Sequence, residues 1–105
     1  MSYALIRQAI LEKKAIHATY GGLHREMCPH VVGLKNGKQQ TLCYQYGGQS
    51  RSRPIQPDGS KENWRCIEIA KLSNVQIVEI GTWHTAPDHS RPQTCVDQVD
   101  VEVQY

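Results

Sequence analysis

The sequence lacks long apolar runs and the marks of a secretory leader. No run approaches the roughly 20 apolar residues that a membrane-spanning helix needs. The first residues contain neither a basic n-region nor an apolar core followed by small residues. We therefore expect a cytoplasmic protein without a membrane partner. The 105 residues leave room for one domain, and a composition of 39% hydrophobic and 21% charged residues is that of a globular chain.

Closely spaced cysteines are also missing: the four cysteines are far apart in the sequence, and none belongs to a C-x-x-C motif. The spacing predicts no disulfide framework. Cys43 and Cys66 each lie within an apolar strand pattern, where a free thiol acts as a small hydrophobe. We therefore expect both residues in or near the core.

Catalytic signatures are absent as well. The chain has no phosphate-binding loop, nucleophile elbow, dinucleotide fingerprint or typical pair of carboxylates. The side chains from which a nucleophile with its base, or a metal site, could be assembled are Cys28, His30, His84, His89 and Cys95. Their spacings match no structural zinc pattern, and nothing places them together. The sequence thus predicts no enzyme, no catalytic residue, no metal and no cofactor.

The charges are distributed unevenly along the chain. Residues 1–53 carry eight Lys and Arg against two acidic residues, a net charge of +6, whereas residues 54–105 carry four against eight, a net charge of −4. A basic face of this kind attracts phosphate or acidic partners. The alternative is an ordinary solvated surface on which opposite charges pair.

The chain begins with a helical pattern and continues with strands. Residues 2–14 predict a helix, capped by Ser2, whose apolar stripe consists of Leu5, Ile6, Ala9 and Ile10. Period-two patterns then predict strands at 15–20, 23–28, 31–34, 39–46, 64–69, 75–80 and 98–105, with the last strand at an edge.

Turn signals separate these strands. Gly21-Gly22 and Asn36-Gly37 predict tight hairpins, Pro29 an interruption or bulge, and Ser73-Asn74 a short turn. Residues 47–62 predict a long polar loop, which in a compact domain is usually functional or mobile. One helix followed by short hairpin-connected strands is typical of a mainly β fold, a strongly bent antiparallel sheet or a partly closed barrel.

The order of these signals resembles the WYL domain. The resemblance covers roughly residues 4–80 and rests on Ile16-x-x-x-Tyr20-x-Gly22-x-x-Arg25-x-x-x-Pro29-His30, Asn36-Gly37, Tyr44-x-Tyr46 and Trp64-Arg65-x-Ile67-x-Ile69-x-Lys71. It implies an N-terminal helix followed by a small SH3-like (Sm-like) antiparallel β-barrel. It also implies a bacterial regulatory module that senses a ligand, nucleic acid in several cases, through basic surface residues. Thr41-Leu42-Cys43 replaces the tripeptide that gives the family its name.

Strand alternation points to the same residues. Arg65, Ile67 and Lys71 share one face of the predicted strand, so a core-facing Ile67 places the two cations at the margins of the core. A partly buried guanidinium there needs a carboxylate, a carbonyl or a bound anion. The structural alternative is that Arg65 stacks on a ring or pairs with Glu26 or Glu68.

Cations and aromatic rings together predict an anion-binding surface. Guanidinium groups bind phosphate and flat rings stack on bases. The candidate ligand or nucleic-acid contacts are Arg25, His30, Tyr44, Tyr46, Arg51, Arg53, Trp64, Arg65 and Lys71. Aromatic residues on short strands are, however, commonly core residues.

The leading interpretation is a non-enzymatic regulatory binding module whose partner is a single-stranded nucleic acid or a nucleotide. The alternative is a protein-interaction domain that forms a homodimer through the edge strand at 99–105 or through the N-terminal helix.

Overall fold

The computed structural model describes residues 2–50, 54–57, 59–86 and 95–103. The helix is α1 (Ser2–Glu12), and the strands are β1 (Ile16–Tyr20), β2 (Leu23–Lys35), β3 (Lys38–Gly48), β4 (Trp64–Glu68), β5 (Leu72–Ile77) and β6 (Gln98–Glu102). Short 3-10 helices at Lys61–Asn63 and Ile69–Lys71 flank β4. No helix in the described ranges has the length and apolarity to cross a membrane.

Helix α1 buries three of the four residues of its predicted apolar stripe against the sheet, whereas Leu5 is partly exposed. Its fully buried residues are Ile6, Ala9 and Ile10. The helix ends two residues before the predicted end, because Lys13 adopts a left-handed conformation with φ of 53°. The Lys14 amide donates to the Ala9 carbonyl (2.9 Å) and the Lys13 amide to the Ile10 carbonyl (3.2 Å). These two bonds form a Schellman motif, which terminates the helix.

Both predicted hairpins are confirmed. Gly21-Gly22 joins β1 to β2 with φ values of 61° and 78°, and Asn36-Gly37 joins β2 to β3 with 52° and 80°. Positive φ at both central residues is the requirement of a type I′ turn, whose twist matches that of the paired strands. The turn chemistry therefore fixes the register of three consecutive strands.

Strand β2 is the centre of the sheet. It runs through Pro29 without a break, and its register against β3 shifts between Pro29 and Val31, so the proline lies at a β-bulge. Along one edge β2 pairs with β3. Along the other edge its first half pairs with β1 and its second half with β6.

The sheet is strongly curved. Its strand order is β4-β3-β2-β1-β5, with β6 added to β2. In a flat sheet four steps of about 4.8 Å would place β4 and β5 about 19 Å apart. The 3-10 helix that joins these end strands has three residues, which rise only about 6 Å. The ends of the sheet must therefore curl toward each other.

The fold is mainly β with one N-terminal helix, as predicted. Among the described residues all strand pairs are antiparallel, and β4 and β5 do not pair with each other. The sheet is consequently open at these two strands, and a closed barrel is not confirmed.

Two elements in the second half differ from the sequence prediction. Ser73 and Asn74, predicted as a turn, lie inside β5, where Asn74 has φ of 53° and the register against β1 shifts. The residues that predict a turn therefore form a β-bulge within the strand. The strand predicted at 98–105 extends over Gln98–Glu102 in the described part, and residues 104 and 105 lie outside it.

The apolar residues form two clusters on opposite faces of the sheet. The main core lies between α1 and the sheet and consists of Ile6, Ala9, Ile10, Ile16, Ala18, Met27, Val32, Cys43, Ile67, Ile69, Leu72 and Val103. A smaller cluster joins Val31 and the partly buried Leu42 to Cys95 and Val96. The segment that leads into β6 therefore covers part of the second face.

The cysteine expectation is half wrong. Cys43 is fully buried as expected, but Cys66 is exposed and forms a disulfide with Cys95, their Cα atoms 5.6 Å apart. Neighbouring strand residues point to opposite faces, so the core position of Ile67 turns Cys66 outward. The segment beginning at Cys95 crosses that outer side, which the spacing of the cysteines does not reveal.

We expect Gly33→Ala to destabilise the protein by about 1–3 kcal/mol. A Cβ atom at this position would lie 2.0 Å from the Gln98 carbonyl oxygen and 2.7 Å from Val96 Cγ1, so β6 would have to move away from β2. Urea unfolding measures the change as a shift in midpoint at constant m value. Gly81→Ala is the control, because its Cβ would meet Val78 at an ordinary 3.6 Å. Equal midpoints for the two variants would contradict the close packing of β6.

Candidate functional site

The predicted ligand contacts do not lie on one surface. We call the sheet face that carries Met27, Cys43 and Ile67 and is covered by α1 the helix face, and the face that carries Tyr44 and Trp64 the outer face. Because strand residues alternate, Arg25 and Arg65 fall on the helix face, whereas Tyr44, Tyr46 and Trp64 fall on the outer face. Arg51 and Arg53 lie outside the described residues.

Arg25 lies on the helix face and is 5% exposed. Its guanidinium donates to Gln45 Oε1 (3.3 Å) and to the Tyr20 carbonyl (3.4 Å), and lies 5.4 Å from the centre of the Tyr20 ring. Gln45 is itself buried and donates to the carbonyls of Gly47 (3.0 Å) and Gln49 (2.8 Å). Arg25 is therefore part of an internal network that holds the end of β3.

Arg65 is also buried, with 7% of its surface exposed, and it shares the helix face with Ile67 as the alternation predicts. It donates through Nη1 to the carbonyls of Glu62 (2.7 Å) and Trp64 (3.2 Å). These carbonyls belong to the 3-10 helix Lys61–Asn63 and to the residue that follows it. Charge-assisted hydrogen bonds of this kind are among the strong ones, so Arg65 fixes the entry into β4.

Tyr44 anchors the second half of the predicted loop. Its ring is fully buried on the outer face. Its hydroxyl donates to the Ser60 carbonyl (2.9 Å) and accepts from the Gly59 amide (2.8 Å), and Asn63 Nδ2 lies 3.4 Å away. Tyr44 therefore serves the structure of residues 59–63 and offers no ring face to a ligand.

His30 lies at the centre of an aromatic cluster. It is fully buried, and its ring lies 4.7 Å from the rings of both Trp64 and Trp83. Its Nδ1 donates to the Cys28 carbonyl (2.7 Å), because a carbonyl oxygen only accepts, and its Nε2 lies 3.0 Å from the Thr85 hydroxyl. Both ring nitrogens are thus hydrogen-bonded within the fold. His30 is therefore not available as a metal ligand or as the base of a nucleophile.

Tyr46, one of the predicted ligand contacts, lines a cleft. Its ring stacks on His84 with centroids 4.0 Å apart and planes 12° from parallel. Burial, and after it the charges of Cys28 and Glu26, raises the pKa of Tyr46 to about 12. The phenol consequently stays neutral across the physiological range.

The cleft has a volume of about 440 Å³ and lies between the end of α1 and residues 78–84. Its lining includes the rings of Tyr46, Trp83 and His84 together with Lys13 and Lys14 and the acidic residues Glu12 and Glu79. The Lys14 ammonium lies 3.0 Å from a Glu12 carboxylate oxygen and also contacts Glu79. Aromatic residues and lysines therefore border one volume of the size that small-molecule sites usually have.

Lys71, the remaining predicted contact, lies elsewhere. It is exposed at the end of the 3-10 helix Ile69–Lys71 and does not line the cleft. The sequence analysis instead missed Lys13, Lys14 and Trp83, and it considered His84 only for metal and catalytic roles. Two sequence signals could have identified these residues: the lysines at the C-terminal end of α1 and the adjacent aromatic residues Trp83 and His84.

Comparison of the chain with protein-family models, with curated proteins and with solved structures finds no match. The WYL resemblance is therefore still a prediction.

We expect Arg65→Met to lower the free energy of unfolding by about 1.5–3 kcal/mol, the usual worth of hydrogen bonds from a charged group. The variant retains the length of the side chain but loses the donors to the Glu62 and Trp64 carbonyls. Lys71→Met, at the exposed end of the 3-10 helix that follows β4, is the matched control, with an expected change within about 0.5 kcal/mol. Urea unfolding compares the two variants. A loss no larger than that of the control would contradict the structural role of Arg65.

We expect the protein to lose stability as the pH rises from about 10 to about 12, with part of this loss due to Tyr46. An unfolded tyrosine releases its proton near pH 10, whereas the raised pKa keeps Tyr46 protonated to about pH 12. Between these values the unfolded state binds fewer protons, so its population grows with pH, and below pH 10 this contribution does not change. Denaturant midpoints across this window should fall less steeply for Tyr46→Phe than for the native chain. Identical slopes would contradict the assignment.

Proposed function

We propose that the protein is a non-enzymatic regulatory binding module for an anion that carries an aromatic ring, a nucleotide or a single-stranded nucleic acid. The observation that carries this proposal is the cleft whose lining combines Tyr46, Trp83 and His84 with Lys13 and Lys14. The ligand contacts are thus the cleft residues. Arg25 and Arg65 serve the fold in this proposal.

The aromatic rings of the cleft suit the base of such a ligand, and the lysines suit its phosphate. Stacking of a base on an aromatic ring is worth about 1–3 kcal/mol per base and tolerates any sequence. Tyr46 and His84 are already stacked on each other, half-buried, so a base adding to the pair extends an ordered stack. Lysine ammonium groups bind phosphate as point charges.

The ion pairs of Lys14 do not prevent phosphate binding. The Glu79 side chain is 67% exposed and that of Lys14 is 30% exposed. Exposed ion pairs contribute about 0–1 kcal/mol. An incoming phosphate can therefore replace the Glu79 carboxylate on Lys14 at small cost.

The finer fold assignment, an SH3-like (Sm-like) barrel of the WYL type, belongs to the same proposal. It is supported by the strand order and by the 3-10 helix that joins the two end strands across three residues. In this assignment the curled sheet is a barrel left open between β4 and β5. The cleft then lies outside the barrel, beside the end of the N-terminal helix.

Fluorescence anisotropy with labelled single-stranded DNA, single-stranded RNA and an adenine nucleotide tests the proposal. We expect binding at low salt that weakens steeply as salt increases. The double variant Lys13→Gln, Lys14→Gln should bind more weakly and should reduce the salt slope for oligonucleotides by about 1.4, since each phosphate contact on a single strand contributes about 0.7.

Lys71→Gln is the control, because it removes one exposed positive charge outside the cleft. Its binding should equal that of the native chain. Absence of binding to all three probes at low salt would overturn the proposal. A loss with Lys71→Gln as large as with the lysine pair would overturn the placement in the cleft.

The alternative function, a homodimer through an edge strand or α1, stays a prediction. Its apolar candidates are Leu11 on α1, 62% exposed, and Val99 on β6, 50% exposed. A mostly apolar interface responds little to salt. A dimer mass that persists from low to high salt, together with no probe binding, would favour this alternative.

A further inference from the structure

The hairpin of β1 and β2 carries a group of metal-ligating side chains on its outer face. Ile16 and Ala18 of β1 point into the core, so His17 between them points outward. On β2 the buried Arg25 and Met27 alternate in the same way with His24 and Glu26. Three ligand-bearing residues thus share one surface that the ring-bearing cleft does not use.

Strand register brings these three side chains together. His17 is directly opposite Glu26, and His24 is opposite Thr19, one diagonal step from His17. The two imidazole rings are 5.4 Å apart and nearly perpendicular, and His24 Nε2 lies 3.1 Å from Glu26 Oε2. One ligand atom from each residue lies within 4.8 Å of the other two.

The carboxylate of Glu26 lies above a position that has no side chain. Gly47 of β3 is the partner of Glu26 on the other edge of β2. A Cβ atom at Gly47 would lie 2.4 Å from Glu26 Oε1 and 3.2 Å from its carboxyl carbon. The glycine therefore leaves the space that the Glu26 carboxylate occupies beside His24.

We propose that His17, His24 and Glu26 form a binding site for a divalent transition-metal ion, with Zn²⁺ as its expected occupant. Two imidazole nitrogens and one carboxylate oxygen are a ligand set that zinc uses at sites with an open fourth position. Calcium and magnesium prefer oxygen ligands and fit this set poorly. The proposal does not depend on the proposed ligand cleft.

The geometry requires only a small closure. Metal–nitrogen bonds of about 2.0–2.1 Å in a tetrahedral site put ligand atoms roughly 3.3 Å apart. The His24–Glu26 pair is already at 3.1 Å, so rotation of the His17 side chain completes the site. With the His24 side chain 53% exposed and that of Glu26 32% exposed, the fourth position faces solvent and takes a water molecule.

Isothermal titration of the oxidised protein with Zn²⁺ alone tests the proposal, and Co²⁺ serves as a spectroscopic probe. We expect one bound ion per chain and a Co²⁺ spectrum of nitrogen and oxygen ligands. Loss of a side chain that hydrogen-bonds to a metal ligand typically lowers the metal affinity by about 10- to 100-fold. Removal of a ligand by His17→Asn, His24→Asn or Glu26→Gln should therefore weaken binding at least about tenfold.

His84→Asn is the matched control, because it removes an imidazole outside the hairpin, and it should bind Zn²⁺ as the native chain does. Urea unfolding without metal should give similar midpoints for the native chain and the three ligand variants, since these three positions lie outside the core. No Zn²⁺ binding by the native chain would overturn the proposal. Binding unaffected by His17→Asn and His24→Asn, or a sulfur-to-cobalt charge-transfer band, would place the ion elsewhere and overturn it equally.

Discussion

The three-residue connection between β4 and β5 is the constraint on which the rest of the structure depends. It joins the two end strands of the sheet, so the sheet must curl until they approach. Curling produces a concave face, and an apolar concave face must be covered. Helix α1 covers it with Ile6, Ala9 and Ile10. The bulges in β2 and β5 supply the local bending that a strongly curved sheet requires.

The same curvature decides what the charged and aromatic residues do. Arg25 and Arg65 fall on the concave side, where both are buried and donate to oxygen atoms of the fold. Tyr44, Tyr46 and Trp64 fall on the other side, where Tyr46 lines a cleft and Tyr44 is fully buried. The residues that the sequence predicts as one ligand-binding surface thus separate into buried residues that stabilise the fold and a smaller number that are accessible.

Local features could be predicted from the sequence, and contacts between distant segments could not. The Gly-Gly and Asn-Gly turns depend only on their own backbone conformations, and the stripe of α1 depends on a period. The Cys66–Cys95 pair and the cleft depend on where the segments after β5 return, which no local pattern records. Ser73-Asn74 was misread because residues that favour turns also occupy bulges. Arg65 was placed correctly on its strand face, but its carbonyl partners depend on the 3-10 helix before β4.

The pairing of β6 with β2 links the completion of the fold to the order of synthesis. Asp100 accepts hydrogen bonds from Tyr3 (2.7 Å) and Arg7 (3.2 Å), residues 97 and 93 positions earlier in the chain. Until β6 leaves the ribosome, the second half of β2 lacks a partner on one edge, and α1 lacks its contact to this strand. Contacts so distant in sequence form slowly, because the entropy of loop closure opposes them before any packing compensates. We therefore expect the pairing of β6 with β2 to form late in folding.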